Sequence, residues 1–450
     1  MAKAKPFYEC QACGLVTPKW MGKCTNCGAW DSFVELKGDV KKAASASKTV
    51  GAQAAVGAIQ ITEIREENVT RFPSGEPELD TVLGGGIVPG SLTLVGGSPG
   101  VGKSTLLLKV GGNLAAAGKK VLYVSGEESA GQIKLRANRI GANKENLYLL
   151  SAINMEAIVE ELDAKKYDLA IIDSIQTIYS ENNASAPGSV TQVREITFEL
   201  MRYAKAKDVA MFIIGHITKE GSIAGPRVLE HMVDTVLYFE GDASRELRIL
   251  RGFKNRFGST SELGIFEMAK EGLVSAGNVA DKFFTHGEPR AGSAVTVILE
   301  GTRPLLIEVQ ALVAETGFPS PKRSATGYES NRLTMLLALL EKKLELPFNQ
   351  YDVFINIAGG IKITEPAADL AVVAAILSSF KERPIAKSTV FLGEVALIGD
   401  IREVYNLDQR LREAKSQGFV KAVLPKLPME EVAGVKCYAV GEVAKLLDWM

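Results

Sequence analysis

Eight residues, Gly97-Ser98-Pro99-Gly100-Val101-Gly102-Lys103-Ser104, constrain this chain more than any others. They complete the spacing G-x-x-x-x-G-K-[ST] of a phosphate-binding loop. The pattern has physical force only between a strand and a helix. Ser91 to Val95 before it reads as a strand, and Thr105 to Ala117 after it reads as a helix. Glycines let the backbone curl until several N–H groups converge on phosphate oxygens. The following helix adds the positive end of its dipole. Lys103 is then expected at the β- and γ-phosphates and Ser104 at Mg²⁺, so ATP and Mg²⁺ are the expected ligands. The plain alternative is a glycine-rich turn with no ligand, and the Gly-Lys-Ser ending argues against it.

The 450 residues suggest two or three domains. A net charge of −1 announces no nucleic-acid partner for the whole chain, so any such site is a local patch. No apolar run approaches membrane-spanning length, and the amino terminus lacks the apolar core of a signal peptide. A cytoplasmic location is expected.

Four of the five cysteines lie in the first 27 residues. Cys10-Gln11-Ala12-Cys13 and Cys24-Thr25-Asn26-Cys27 are two C-x-x-C knuckles, and two knuckles make a tetrahedral four-thiolate shell for structural Zn²⁺. Disulfides or free thiols are the alternative, and a reducing compartment disfavours the former. So short a segment depends on metal for its folding energy. Trp20 and Trp30 flank the second knuckle and are expected to form its miniature core, with a contact surface as the alternative. Residues 1–37 form this module. Residues 38–58, rich in Ala, Ser, Lys and Gly without periodicity, read as a flexible linker.

Residues 59–275 read as the ATPase domain. Val121–Val124, Leu147–Leu150, Leu169–Asp173 and Ala210–Ile214 are continuous apolar runs separated by helix-length segments. That pattern fits a mostly parallel sheet covered on both faces, with ligands at the carboxyl ends of its strands. Asp173 closes one strand and is the candidate magnesium-side carboxylate. Glu127 is the candidate base that orients the attacking water, with Glu128 its neighbour and rival. His216, at the end of another strand, is a candidate γ-phosphate sensor or a structural histidine. Lys219 and Arg227, in a polar loop after that strand, are candidate phosphate-backbone contacts or solvated surface. The sheet continues through Thr235–Phe239 and Leu247–Leu250 to Lys254-Asn255-Arg256-Phe257-Gly258. There Lys254 and Arg256 project from one side of an extended segment, as an exposed basic hairpin or as cations that reach a neighbouring subunit's γ-phosphate.

The cysteine knuckles, the Leu83-Gly84-Gly85-Gly86 lead-in, the phosphate loop and the KNRFG pentapeptide together resemble the bacterial RadA (Sms) DNA repair family over nearly the whole chain. That resemblance implies an α/β fold with a RecA-like core and a homo-hexameric ring. It implies a DNA-stimulated ATPase that drives branch migration of recombination intermediates. Its partners would be single-stranded and branched DNA, with the RecA recombinase and replication proteins among further candidates. It also implies zinc at Cys10, Cys13, Cys24 and Cys27.

Residues 276–450 change style to α+β and resemble the proteolytic domain of Lon proteases. An ATP-dependent protease is therefore a rival reading. Lon chemistry needs a serine at a helix start and a lysine after a Gly turn. Alignment puts Asp369 and Arg402 there, neither of which can take those roles. Ser378 and Ser379 have no evident lysine partner. Lys322, Arg323, Arg332, Lys342 and Lys343 offer cations for a DNA-binding face, or are solvated surface. A protein-binding, nucleotide-gated scaffold is a third reading, in which hydrolysis ignores DNA.

Overall fold

The computed structural model describes residues 8–10, 16–25, 30, 32–35, 70–183, 185–216, 228–241, 247–269, 272–276, 288–317, 320–386, 388–426 and 431–449. Cys13, Cys27, the 38–58 linker, Lys219, Arg227 and the side chain of His216 lie outside the described residues. Contacts divide the chain into Met1–Ser275 and Ala276–Met450.

At the amino terminus β1 (Tyr8–Cys10) pairs antiparallel with β2 (Val16–Thr17) and β3 (Phe33–Glu35). The buried cluster is Cys10, Cys24 and Phe33, with Tyr8 and Met21 against it. The two tryptophans are not its core, contrary to expectation. Trp20 is 53% and Trp30 72% exposed. A sheet of eight paired residues is too thin to cover an indole on both faces, and the cysteines take the interior instead.

The large sheet of the first unit runs β12-β11-β10-β9-β4-β8-β7-β5-β6. Its strands are β4 (Leu92–Gly97), β5 (Val121–Ser125), β6 (Leu147–Leu150), β7 (Leu169–Asp173), β8 (Ala210–His216), β9 (Thr235–Glu240), β10 (Leu247–Asn255), β11 (Leu263–Ala269) and β12 (Gly272–Ser275). From β6 to β9 every pairing is parallel, and from β9 to β12 every pairing is antiparallel. The parallel half needs crossover helices, and these cover both faces. On one face lie α1 (Pro77–Leu83), α2 (Lys103–Ala116) and α3 (Ala130–Arg139), which contribute Leu79, Leu106 and Ile133 to one buried cluster. On the other lie α4 (Met155–Ala164), α5 (Val190–Lys207) and the short α6 (Val228–Met232), which bury Ile158, Leu200 and Leu229. β4, β5, β7 and β8 are buried on both sides, so each is a largely apolar run rather than an alternation, whereas the edge strand β6 is only half-buried. β8 stands between the phosphate-loop strand β4 and the Asp173 strand β7.

In the second unit the strands are β13 (Ser293–Glu300), β14 (Arg303–Glu315), β15 (Arg323–Thr326), β16 (Tyr351–Ile357), β17 (Thr389–Phe391), β20 (Lys421–Leu424), β21 (Glu431–Val432) and β22 (Val435–Ala439). They form one mixed sheet, β15-β16-β14-β13-β17-β20-β22-β21. A separate hairpin joins β18 (Glu394–Val395) to β19 (Ile401–Arg402). The helices are α7 (Ser330–Leu344), α8 (Asp369–Phe380) and α9 (Leu407–Ser416). α8 is buried along its length, from Asp369 to Ser378. That all-round burial explains its nearly uniform apolar sequence.

Candidate functional site

Parallel pairing brings the sequence candidates to one edge of the sheet. Gly97 ends β4 opposite His216 at the end of β8, and Ser125 ends β5 opposite Asp173 at the end of β7. Gly102 caps α2 at φ 115°, a left-handed conformation that costs glycine little, and so turns the chain from the loop into the helix. Gly97 must also be small: a Cβ there would lie 2.6 Å from the Phe239 carbonyl oxygen. A Cβ on Gly100 would meet no atom within 4 Å, so the crest of the loop is open. Ser98 and Pro99 are exposed and Val101 is buried beneath them. Ser104 and Thr105 fall in the first turn of α2.

Lys103 is 4% exposed, and its Nζ donates to the carbonyls of Gly97 at 2.7 Å and Ser98 at 3.0 Å. Burial lowers its pKa below the ordinary lysine value, while the charges of Asp173 and Glu127 oppose that shift. Asp173 is buried, accepts a hydrogen bond from Tyr123 Oη at 2.5 Å and is hydrogen-bonded to the Ser104 hydroxyl. Burial pushes its pKa up, and the nearby charges of Glu127 and Glu128 add to that, against the two hydroxyl contacts. A hydroxyl and a carboxylate in contact, with two further carboxylates near, form an oxygen-rich site. That donor set suits Mg²⁺.

The two glutamates separate cleanly. Glu128 forms an ion pair with Arg136 on α3. That helix is set by a capping box between Ser129 and Gln132. Glu127 is exposed, accepts a hydrogen bond from the buried Ser174 hydroxyl and lies close enough to act on the Lys103 charge. The Asp173–Ser174 peptide is cis. Tyr123 and Ser174 were not singled out by sequence. An apolar strand interior and a residue after a strand end look the same whether or not they carry a hydroxyl to the site.

The KNRFG segment is at the other end of the sheet. β10 pairs with the start of β9, Asn255 opposite Thr235, through a bulge between Gly252 and Lys254. Lys254 Nζ donates to three carbonyls at the end of α6, Glu230, His231 and Val233, at 2.8, 3.1 and 2.7 Å. Helix-terminal carbonyls lack intrahelical donors, and a cation there also opposes the dipole. Asn255 Nδ2 donates to the Val82 carbonyl, and its Oδ1 accepts from Phe257 N. Gly258 packs backbone to backbone on Gly84: a Cβ on either would lie 3.1–3.2 Å from the Cα of the other. Arg71 bridges the two turns, donating to the carbonyls of Gly84 and Phe257. Arg256 keeps a 52% exposed side chain, paired with Asp234 at 3.3 Å. Spacing alone treats Lys254 and Arg256 as a pair, whether as a basic hairpin or as cations acting in trans. Their surroundings differ: one ammonium is spent on backbone carbonyls and one guanidinium faces outward.

In the second unit Asp369 opens α8 fully buried. It accepts from Tyr328 Oη at 2.6 Å, from the Arg332 guanidinium and from Val395 N at 3.1 Å. Burial holds its pKa above the usual carboxylate range, against the pull of Arg332 and Tyr328. Arg402 is exposed and pairs with Glu394 across the hairpin at 3.8 Å. Ser378 Oγ donates to the Arg383 carbonyl and accepts from Gly292 N, and Ser379 Oγ accepts from Val313 N. Two of the five cations expected on a DNA face are committed internally, Arg332 to Asp369 and Arg323 to Glu341.

A phosphate loop on a parallel sheet, with a strand inserted between it and the Asp173 strand and an acidic residue beside it, defines a RecA-like P-loop ATPase core. Residues 61–222 match the family described as AAA domain, residues 8–35 the rubredoxin metal binding domain and residues 329–427 the subunit ChlI of Mg-chelatase. The chain is 60% identical over 450 residues to the DNA repair protein RadA of Campylobacter jejuni, with all of both chains covered. It is 59% identical to that of Helicobacter pylori strain J99, again over all of both, and 47% to that of Bacillus subtilis over 99% of each. The chain belongs to the RadA family of DNA repair proteins.

Among the described residues no helix is long and apolar enough to cross a membrane.

Proposed function

We propose that this chain is a ring-forming, DNA-stimulated ATPase that drives branch migration of recombination intermediates in the cytoplasm. One observation carries the ring. Arg256 N donates to Asp234 O, and Asp234 bonds to Leu92 at the start of β4. Gly97 is at the far end of that strand, five steps of about 3.3 Å or roughly 16 Å away. An arginine side chain does not span that distance, so Arg256 does not reach a nucleotide held by its own loop, which supports a role toward another copy.

In this reading ATP lies on Gly97 to Ser104, and Lys103 binds its terminal phosphates. Ser104 and Asp173 hold Mg²⁺, which when bound supplies positive charge to the phosphate oxygens. Tyr123 orients Asp173. Glu127 orients the attacking water and takes its proton, steered by Ser174. Glu128 is already neutralised by Arg136. His216, which pairs with Gly97 in the strand register, responds to the γ-phosphate in this reading. Arg256 acts in a neighbouring site, and Lys254 braces α6 beside it.

Cys10, Cys13, Cys24 and Cys27 hold zinc. The buried Cys10 and Cys24 support this, as does the match to a metal-binding family. The second unit is a protease-like fold without protease chemistry, used in assembly. Its Asp369 is bound up with Arg332 and its Ser378 and Ser379 are bound to backbone. Residues 1–37, 38–58, 59–275 and 276–450 are its working divisions. Single-stranded and branched DNA, a homo-hexameric ring, and contacts with RecA recombinase and replication proteins are part of this proposal.

The test is steady-state ATP hydrolysis with and without single-stranded DNA. Strong stimulation is expected. A rate indifferent to DNA over a wide concentration range would leave the nucleotide-gated scaffold as the better reading. Within the site, Glu127→Gln should lower kcat at least about 100-fold while nucleotide affinity is retained. Glu128→Gln should instead loosen α3, since Arg136 loses its partner. The reverse pattern in paired kinetic and binding assays would exchange the two roles.

A further inference from the structure

Asp234 carries no motif, yet five contacts from three elements converge on it. It precedes β9, and its side chain is 4% exposed. Its backbone N–H donates to Leu92 O at 3.0 Å, and its Oδ2 accepts from Leu92 N at 3.2 Å. Its Oδ1 faces two cations, Arg256 Nη1 at 3.3 Å and Lys205 Nζ at 3.5 Å. Its carbonyl accepts from Arg256 N at 3.1 Å. These neighbours come from the start of β4, the last turn of α5 and the segment after β10.

We propose that Asp234 is the positioning residue of Arg256: it aims the guanidinium outward at a neighbouring copy and ties it to the root of the strand that bears the phosphate loop. The proposal rests on the reading of Arg256 as a cation that acts in trans. The physical need is clear. An exposed arginine has many rotamers, and a group that must meet a transition state gains by having few. Asp234 restricts both ends of the residue, the backbone through its carbonyl and the side chain through its carboxylate. The pair of hydrogen bonds with Leu92, one from the Asp234 N–H and one to its Oδ2, keeps the carboxylate from following the guanidinium outward. Lys205 matters when the guanidinium engages a phosphate. A buried carboxylate left without a countercharge is costly, and Lys205 remains on the same oxygen to supply one. Asn255 on one side, and the Gly84–Gly258 contact with Arg71 on the other, keep the backbone around Arg256 fixed.

The link from Arg256 through Asp234 to Leu92 has a consequence for the ring. The residue that senses one subunit's nucleotide is bonded to the strand that presents the phosphate loop of its own subunit. Successive sites around the ring are thereby connected through a single carboxylate.

The experiment uses the full-length chain. Asp234→Asn keeps an acceptor for Leu92 N but removes the charge that holds Arg256. At saturating ATP and DNA its kcat should fall about tenfold, with KM, nucleotide affinity and Tm nearly unchanged. The decisive arm is the same change in an Arg256→Ala background, where it should cost nothing further. Equal losses in both backgrounds, or a loss of kcat that follows a loss of Tm, would make Asp234 a structural residue only. Should Asp234→Asn not fold, Lys205→Met replaces it. With Arg256 left as the sole countercharge, kcat should fall about threefold, and an unchanged kcat refutes the proposal. The two readings fail separately. Arg256→Ala at the wild-type rate removes the action in trans. A slow Arg256→Ala beside a normal Asp234→Asn removes only the positioning role.

Discussion

Lys103→Ala is expected to reduce ATP hydrolysis by about 10²–10³-fold or more, with DNA unable to restore it, and to leave the fold intact. The first half follows from placement. The ammonium is on the phosphate loop, held by Gly97 O and Ser98 O. Asp173 and Glu127 act on it electrostatically, so its removal leaves two carboxylates beside an anionic ligand with one positive charge fewer. Nucleotide affinity should fall with the rate, since a phosphate contact serves ground and transition states alike. The second half follows from cost. Burial disfavours the charged lysine, as the direction of its pKa shift records. Removing it relieves that desolvation and takes one donor from each of two carbonyls, of which Ser98 O keeps the Val101 N–H at 3.3 Å. These effects oppose each other, so Tm should stay close to the wild-type value. Hydrolysis, nucleotide titration and calorimetry on one preparation check all three statements. A variant that still hydrolyses ATP, or that loses its fold, would contradict this account of the loop.

The second large effect is expected in the other unit. Asp369→Ala should destabilise it by about 2–4 kcal/mol, below the upper range for a broken buried pair because Arg332 is partly exposed. The carboxylate holds Tyr328, Arg332 and Val395 N, and so joins α7, α8 and the β18–β19 hairpin. Its loss strands a buried phenol and a backbone amide as well as a guanidinium. Asp369→Ser should cost nearly as much and yield no peptide hydrolysis. A serine restores the hydroxyl of a protease, but the cross-strand residue remains the exposed Arg402, paired with Glu394. Urea unfolding with a casein-turnover assay reads both expectations. A stability loss under about 1 kcal/mol would mean that the network is dispensable. Peptide cleavage by the serine variant would revive the protease reading.

Much of this molecule was legible from the chain. Phosphate-loop spacing is local: eight residues between a strand and a helix suffice, because backbone amides and one lysine do the binding. The β5, β7 and β8 strands were legible because double-sided burial leaves continuous apolar runs, and their parallel order made Gly97, Asp173 and His216 share an edge. Asp369 and Arg402 were legible as wrong residues for a protease from their side-chain chemistry alone.

Other features were decided only by tertiary structure. Sequence could not separate Glu127 from Glu128, since adjacent residues differ only in which neighbour they find. Arg136, one turn from the end of α3, took one, while the other accepts from Ser174. Lys254 and Arg256 have the same sign and near-identical spacing, yet one meets helix-end carbonyls and the other solvent and Asp234. Trp20 and Trp30 have core-like chemistry, but their module is too small to enclose them. Asp234, Tyr123, Ser174 and Arg71 gave no local signal, because each acts through residues 13 to 186 positions away. Sequence determined what is set by neighbours along the chain: the loop, the strands and the knuckles. Which charges are spent inside and which remain to act depends on partners across space, and only the folded chain brings those together.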